Sequence, residues 1–127
     1  MTNPKVLITG ASGLIGGLVL KNLSGKYDFS ALNRRKVEGI PLKQADISSL
    51  DEIIPAFEGI DTVLHLSAYL EDVNDWDNTN KVNITGTYNV FEAARRNNVS
   101  RVVFASSGST MLGYELDYPY GHIARGE

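Results

Sequence analysis

The stretch "KVLITGASGLIGG", residues 5–17, decides the fold of this 127-residue chain. Residues 5–9 form a short apolar run that is typical of a buried parallel strand. Gly10, Gly13 and Gly16 follow, and apolar residues then recur at helical spacing. Glycine at a strand-to-helix junction permits a tight turn, close approach of a phosphate and close packing of helix on strand. The pattern predicts an anion site at a helix start; a plain packing turn is the alternative.

The rest of the chain alternates between strand-like and helix-like segments. Strand-like runs occur at residues 27–33, 41–45, 61–67 and 101–107. Ser49 and Glu52 have the spacing of a capping box, ahead of an apolar helix face that ends at Gly59. The spacing of Val82, Val90, Phe91 and Ala94 predicts a long helix over residues 77–98. This alternation predicts one domain of the α/β class, a doubly wound parallel sheet of about five strands with helices on both faces.

Composition excludes several classes of protein. The chain is 43% hydrophobic and 21% charged, which is ordinary for a soluble globular domain. Its net charge of -3 argues against nucleic acid as a partner. No apolar run is long enough to span a membrane, and the N-terminus does not resemble a secretory signal. Together with the absence of cysteine, these features predict a cytoplasmic protein with no membrane partner.

Several motifs together resemble one family. "TGASGLIG" is similar to the T-G-x-x-G-x-[IL]-G signature of the short-chain dehydrogenase/reductase superfamily, in particular its extended branch, the NAD-dependent epimerase/dehydratase family. "VNITGTYNVFEAARRNNVSRVVFASS" resembles the N-x-x-G-T-x-N-[LV]-x-E-A-A block of that family. "GTYNVFEAAR", "RVVFASS" and "GYELDYPY" look most like members of the uronate-dehydrogenase type. The resemblance covers the whole chain and implies a Rossmann-type fold that binds NAD or NADP.

The resemblance also assigns cofactor-binding residues. In the glycine segment they are Gly10, Ala11, Ser12, Gly13, Leu14, Ile15 and Gly16. Asp46 and Ile47 of "QADISS" match the pair that contacts adenine. Leu66, Ser67 and Ala68 of "VLHLSAY" match the segment that runs along the cofactor. Asn83 matches a residue that bridges the long helix to strand four, with a plain helix-surface amide as the alternative.

The end of strand two bears on the choice of dinucleotide. An acidic residue usually stands there in NAD-binding folds, about 20 residues after the glycines. This chain has Asn33 instead, followed by Arg34 and Arg35. A guanidinium can pair with a 2'-phosphate, which favours NADP over NAD. The alternative is that the basic run is only a solvated turn and that NAD binds through Asn33.

Catalysis in the resembled family uses a serine after strand five and a Tyr-x-x-x-Lys pair. Ser107 matches the serine, and a turn-capping serine is the alternative. No tyrosine of this chain has a lysine four residues later. We therefore expect the amino-terminal, cofactor-binding part of a longer enzyme, inactive as an isolated chain.

The resemblance implies a sugar or nucleotide-sugar substrate and a homo-oligomer. It leaves three reaction types open: dehydrogenation, epimerisation and dehydration. The alternatives are a non-catalytic dinucleotide-binding module or sensor and a fragment that needs further chain to fold.

Two further groups of polar residues carry weaker expectations. His65 lies inside the apolar run of strand four and is predicted to be a packed, hydrogen-bonded core residue rather than a base. The carboxylates at Glu71, Asp72, Asp75 and Asp77 are predicted to belong to a polar loop and the first turn of a helix. No metal site is expected.

Overall fold

A parallel sheet forms the centre of the molecule. The computed structural model describes residues 2–72 and 74–127. Within them, five strands pair in the order β3-β2-β1-β4-β5, and every pairing is parallel. The strands are β1 (Lys5–Thr9), β2 (Asp28–Asn33), β3 (Leu42–Gln44), β4 (Thr62–His65) and β5 (Arg101–Phe104). This order confirms the predicted doubly wound sheet, and it puts the switch point, where ligands bind in such folds, between β1 and β4.

Helical segments connect the strands. In chain order they are α1 (Leu14–Leu23), α2 (Leu50–Ile53) with a 3-10 turn (Ile54–Phe57), α3 (Trp76–Asn78), a π-helix (Thr79–Gly86), α4 (Thr87–Arg96), a second 3-10 helix (Gly108–Leu116) and α5 (Tyr120–Ala124). In the described part of the chain, no helix is both long enough and apolar enough to cross a membrane.

Buried side chains cover both faces of the sheet. On one face, Leu7, Leu32 and Val63 join a cluster with residues of α2 and α4, among them Ile53 and Val90. On the other face, Val6, Ile8 and Ala31 pack with Ala11, and Val19 and Leu20 of α1 lie against them. Successive residues of β1 therefore point into two different clusters, which explains why Val6, Leu7 and Ile8 are all apolar.

The connection between β3 and β4 differs from the predicted capped helix. Ser49 is the N-cap residue of α2, but its side chain makes no capping hydrogen bond, so the expected capping box does not form. The α-helical part ends after one turn and continues as a 3-10 turn with Pro55 at its start. Proline has no N–H to donate to the preceding turn, which accounts for the change. The turn ends at Phe57, two residues before the predicted break at Gly59.

The long helix between β4 and β5 is present but is not uniformly α-helical. Residues Thr79–Gly86 form a π-helix between α3 and α4. All four residues of the predicted helical pattern lie in these helical segments; Val82, Val90 and Ala94 are buried, whereas Phe91 is 43% exposed. Phe91 packs edge-on against Phe104 at the outer strand β5, with ring centroids 6.1 Å apart. Phe91 therefore packs at the edge of the sheet rather than in the core.

Candidate functional site

A groove of about 460 Å³ lies at the carboxyl ends of the strands, above the β1–α1 turn. It gathers predicted cofactor residues from four separate parts of the sequence. Those that line it are Gly10, Ser12, Gly13, Leu14, Ile15, Gly16, Asn33, Arg34, Asp46, Ile47, Leu66, Ser67 and Ala68. The groove thus lies at the switch point of the sheet, where the fold brings the ends of β1, β2, β3 and β4 together.

Two glycines at the junction of β1 and α1 leave no room for a side chain. Gly10 has a φ of +76°, and a Cβ there would lie 2.8 Å from the backbone nitrogen of Ser67. A Cβ on Gly16 would lie 2.7 Å from the Cα of Ala11 and 2.7 Å from the carbonyl oxygen of Gly10. Backbone therefore packs directly on backbone, which brings the start of α1 against the end of β1 and the segment after β4.

The N-terminus of α1 is suited to an anion. Gly13 is the N-cap residue and offers no capping side chain, and the first turn has no acidic residue. The first hydrogen bond of the helix runs from the N–H of Gly17 to the carbonyl oxygen of Gly13, at 2.9 Å. The N–H groups of Leu14, Ile15 and Gly16 precede it and have no acceptor within the helix. These donors and the positive end of the helix dipole fit a pyrophosphate.

Asn33 at the end of β2 is held in one orientation. Its side-chain nitrogen donates to the carbonyl oxygen of Arg35 at 2.8 Å and to Oγ of Ser12 at 3.1 Å. A carbonyl oxygen can only accept, so the amide nitrogen must face it and Oδ1 remains as an acceptor. Because Asn33 lines the groove, this orientation offers an acceptor for a ribose hydroxyl, and Arg34 adds a cation beside it.

Asp46 at the end of β3 carries a negative charge. Burial alone would raise the pKa of its carboxyl group, but hydrogen bonds from Ser48 and the positive charges of Lys81 and Arg34 bring the pKa below its usual value. The N–H of Ser48 donates to Oδ1 at 2.9 Å, and Nζ of Lys81 lies 3.6 Å from Oδ2. The carboxylate therefore stays ionised and can accept hydrogen bonds from a ligand amino or hydroxyl group.

Three predicted site residues do not line the groove. Ala11 is buried in the apolar cluster beneath the loop. Asn83 accepts a 2.7 Å hydrogen bond from the N–H of Tyr69 and donates one of 2.9 Å to its carbonyl oxygen, so it bridges the π-helix to the segment after β4. Ser107 is exposed and caps the second 3-10 helix, its Oγ accepting from the N–H of Ser109 at 3.1 Å.

The groove also contains residues outside the predicted cofactor-binding set. They are Leu32, Ala45, Leu70, Glu71, Val82 and Ala105, and Arg35 of the basic run lines the groove as well. Leu32 and Ala45 directly precede Asn33 and Asp46, so their position at strand ends could have identified them. Glu71 lies in an irregular loop and approaches Arg35 at 4.0 Å; no periodicity signals such a contact.

His65 is fully buried and hydrogen bonded, as predicted. Burial lowers its pKa from 6.5 to about 4, so the imidazole is neutral at pH 7. Its ring nitrogens contact the hydroxyl groups of Thr9 and Thr87. Over residues 2–72 and 74–127, no group of three or more histidine, cysteine or acidic side chains is placed to hold a metal ion.

Comparison with known proteins identifies the family. Residues 6–121 match the NAD dependent epimerase/dehydratase family along nearly the whole chain. The chain belongs to this family. As a family member it has the Rossmann-type sheet described above, with the glycine loop between β1 and α1.

Two curated relatives come from Haloferax volcanii. An L-arabinose 1-dehydrogenase (NAD(P)(+)) is 36% identical over 112 residues, a match that covers 88% of this chain and 44% of that protein. An NAD-dependent glucose-6-phosphate dehydrogenase is 30% identical over 119 residues, covering 87% of this chain and 45% of that protein. The chain therefore spans less than half the length of these relatives.

Solved structures share the fold. Uronate dehydrogenase from Agrobacterium tumefaciens superposes with a TM-score of 0.75 at 26% identity, covering 84% of this chain and 42% of that one. UDP-glucose 4-epimerase from Thermus thermophilus, in complex with NAD, superposes with a TM-score of 0.74 at 27% identity, covering 82% and 38%. The similarity to uronate dehydrogenase agrees with the subgroup that the sequence motifs indicate.

Proposed function

We propose that residues 1–127 form the dinucleotide-binding domain, and the amino-terminal part, of a longer NAD(P)-dependent enzyme. The observation that carries the proposal is the start of α1, where free N–H groups without a competing carboxylate face a groove of dinucleotide size. The cofactor, when bound, would supply hydride transfer to or from carbon. The residues of the chain would bind and orient it: the glycine loop would hold the pyrophosphate, and Asp46 and Ile47 the adenine.

We also propose that NADP binds more tightly than NAD. Arg34 lines the groove beside Asn33, where a 2'-phosphate would meet a guanidinium. Arg35 lies 4.0 Å from Glu71, so its charge is partly offset. Oδ1 of Asn33 can accept from a 2'-hydroxyl, which supports NAD binding as well. The name of the arabinose dehydrogenase relative includes both cofactors.

Titration of the purified chain with NADPH and NADH tests both proposals. We expect saturable binding of both, with NADPH the tighter ligand. Arg34→Ala should weaken NADPH binding by about tenfold and leave NADH binding unchanged, because only the phosphate needs the cation. Lys36→Ala removes a charge from the same turn outside the groove and serves as the control. Equal affinities in the wild-type chain would contradict the NADP preference, and no binding of either would contradict the cofactor site.

Sugar or nucleotide-sugar substrates are proposed on the names of the relatives, which include sugar dehydrogenases and an epimerase.

We propose Ser107 as the catalytic serine of the full enzyme. It follows β5 at the edge of the sheet that carries the groove, and its Oγ already accepts from Ser109. Its hydroxyl hydrogen therefore remains free to donate to a substrate oxygen. Loss of turnover in a Ser107→Ala variant of the full-length enzyme, with unchanged cofactor affinity, would support this role.

A further inference from the structure

His65 lies directly beneath the groove and contacts side chains of three neighbouring elements. Nδ1 is 2.6 Å from Oγ1 of Thr9, the last residue of β1. Nε2 is 3.0 Å from Oγ1 of Thr87, the first residue of α4. The ring stacks on Phe104 of β5, with centroids 5.3 Å apart and planes 19° from parallel. None of the roles discussed above uses this residue.

The hydroxyl group of Thr9 determines the tautomer of His65. Thr9 Oγ1 accepts from the N–H of Ser67 at 3.2 Å, and the N–H of Leu66 is shared between this oxygen at 3.2 Å and the carbonyl oxygen of Thr9 at 3.1 Å. Both N–H groups can only donate. Of the groups bonded to this hydroxyl, only His65 Nδ1 can accept its hydrogen. Nδ1 is therefore unprotonated, and the ring hydrogen is on Nε2, where it donates to Thr87.

This arrangement affects the walls of the groove. By accepting the hydroxyl hydrogen, His65 leaves the lone pairs of Thr9 Oγ1 to the N–H groups of Leu66 and Ser67. Those two residues line the groove, and Thr9 directly precedes Gly10. A Cβ built on Gly10 would lie 2.8 Å from the backbone nitrogen of Ser67, so the glycine loop packs directly on this segment. The Thr9 hydroxyl group thus joins the start of the glycine loop to the segment after β4, beside the backbone hydrogen bond from the N–H of Leu66 to the carbonyl oxygen of Thr9.

We infer that His65, held as the neutral Nε2–H tautomer, is a positioning residue that fixes the glycine loop against the segment after β4. The inference rests on the proposed function in taking this groove as the dinucleotide site. His65 does not touch the ligand; it acts through Thr9. A neutral ring is required, because a proton on Nδ1 would turn the acceptor into a donor and leave the Thr9 hydrogen without a partner.

The ligand-free chain tests the inference first. Imidazole ¹⁵N shifts at pH 7 should show Nδ1 unprotonated and Nε2 protonated. In His65→Leu, the Ser67 amide should exchange with solvent about tenfold faster than in Val63→Ala, since loss of one hydrogen bond corresponds to about that factor. Val63→Ala is the matched control, because it also opens a cavity on β4 without touching this network. An Nδ1–H tautomer, or equal exchange in the two variants, would overturn the inference.

Affinity for NADPH, measured well below the melting temperature, gives the second test. We expect His65→Leu to weaken binding by about tenfold. His65→Asn, which keeps an acceptor at the δ position, should restore most of it, and Val63→Ala should bind like the wild type. If His65→Leu fails to fold, two variants of Thr9 replace it. The isosteric Thr9→Val removes the hydroxyl group and should lose binding, whereas Thr9→Ser keeps the hydroxyl group and should retain binding. Wild-type affinity in folded His65→Leu or Thr9→Val would refute the positioning role. If the wild-type chain binds neither dinucleotide, the proposed function is wrong, and the tautomer and exchange data still decide the inference.

Discussion

The two adjacent glycines of α1, Gly16 and Gly17, differ in what surrounds them. A Cβ at Gly16 would collide with backbone of the preceding turn, whereas nothing lies within 4 Å of a Cβ at Gly17. Gly16 is therefore required by close packing of the helix on the loop. Gly17 only lowers the helix propensity of the segment.

Alanine at these two positions should have opposite effects on stability. Gly16→Ala is expected to lower the free energy of unfolding by about 2 kcal/mol, the usual cost of forcing atoms into a packed site. Gly17→Ala should raise it by about 0.5 kcal/mol through helix propensity. Urea denaturation followed by circular dichroism measures both. Equal destabilisation by the two variants would show that the loop does not pack as described.

At the scale of elements, the most informative segment is the π-helix between α3 and α4. Its extra residue per turn rotates the chain between the two α-helical parts, and Asn83 then reaches both backbone groups of Tyr69. Gly86 at its end packs against Ile47, where a Cβ would lie 2.6 Å from Cγ1. The π segment thus positions residues at two separate points around the groove.

Exchange of the Asn83 amide for a carboxylate tests that arrangement. Asn83→Asp keeps the shape but cannot donate to the carbonyl oxygen of Tyr69, so we expect the free energy of unfolding to fall by about 2 kcal/mol. Asn80→Asp changes the same chemical group on the exposed side of the same π-helix and should change stability by less than about 0.5 kcal/mol. A thermal or urea unfolding series of the three proteins gives the comparison. Similar values for both variants would mean that Asn83 makes no such bridge.

The sequence predicted those elements whose pattern has a direct physical cause. β1, the glycine loop and α1 follow from an apolar run and close-packed glycines, and the groove residues at the strand ends follow from the parallel sheet. The π-helix was missed because its one-residue insertion leaves a nearly helical apolar pattern. The absent capping box shows that the right residues at the right spacing do not determine side-chain direction. The contact between Glu71 and Arg35 was missed because loop contacts have no periodicity.

At the scale of the whole molecule, His65 links stability to pH. The pKa of His65 is about 4 in the folded chain and 6.5 as an ordinary value. Between these values the unfolded state binds a proton that the folded state does not, so acid favours unfolding. The contribution of neutral His65 to the free energy of unfolding is fully present above pH 6.5 and is lost as the pH falls to 4. It amounts to about 3 kcal/mol in all.

Urea denaturation between pH 4 and pH 7 measures this linkage. The wild-type chain should lose stability steadily on acidification, and His65→Asn should show a flatter profile in the same range. Carboxyl groups with lowered pKa values, such as Asp46 and Asp75, contribute mainly at lower pH. Parallel profiles for the two proteins would show that His65 titrates normally in the folded chain.

In the function proposed above, the glycine loop and the strand ends of this chain form a dinucleotide site. Titration of the ¹⁵N-labelled chain with NADPH, followed by amide chemical shifts, tests it most directly. We expect saturable shifts concentrated at residues 10–16, at Asn33 and Arg34, at Asp46 and Ile47, and at residues 66–68, with none in α5. Shifts scattered over the surface without saturation, or saturable shifts centred elsewhere, would contradict it.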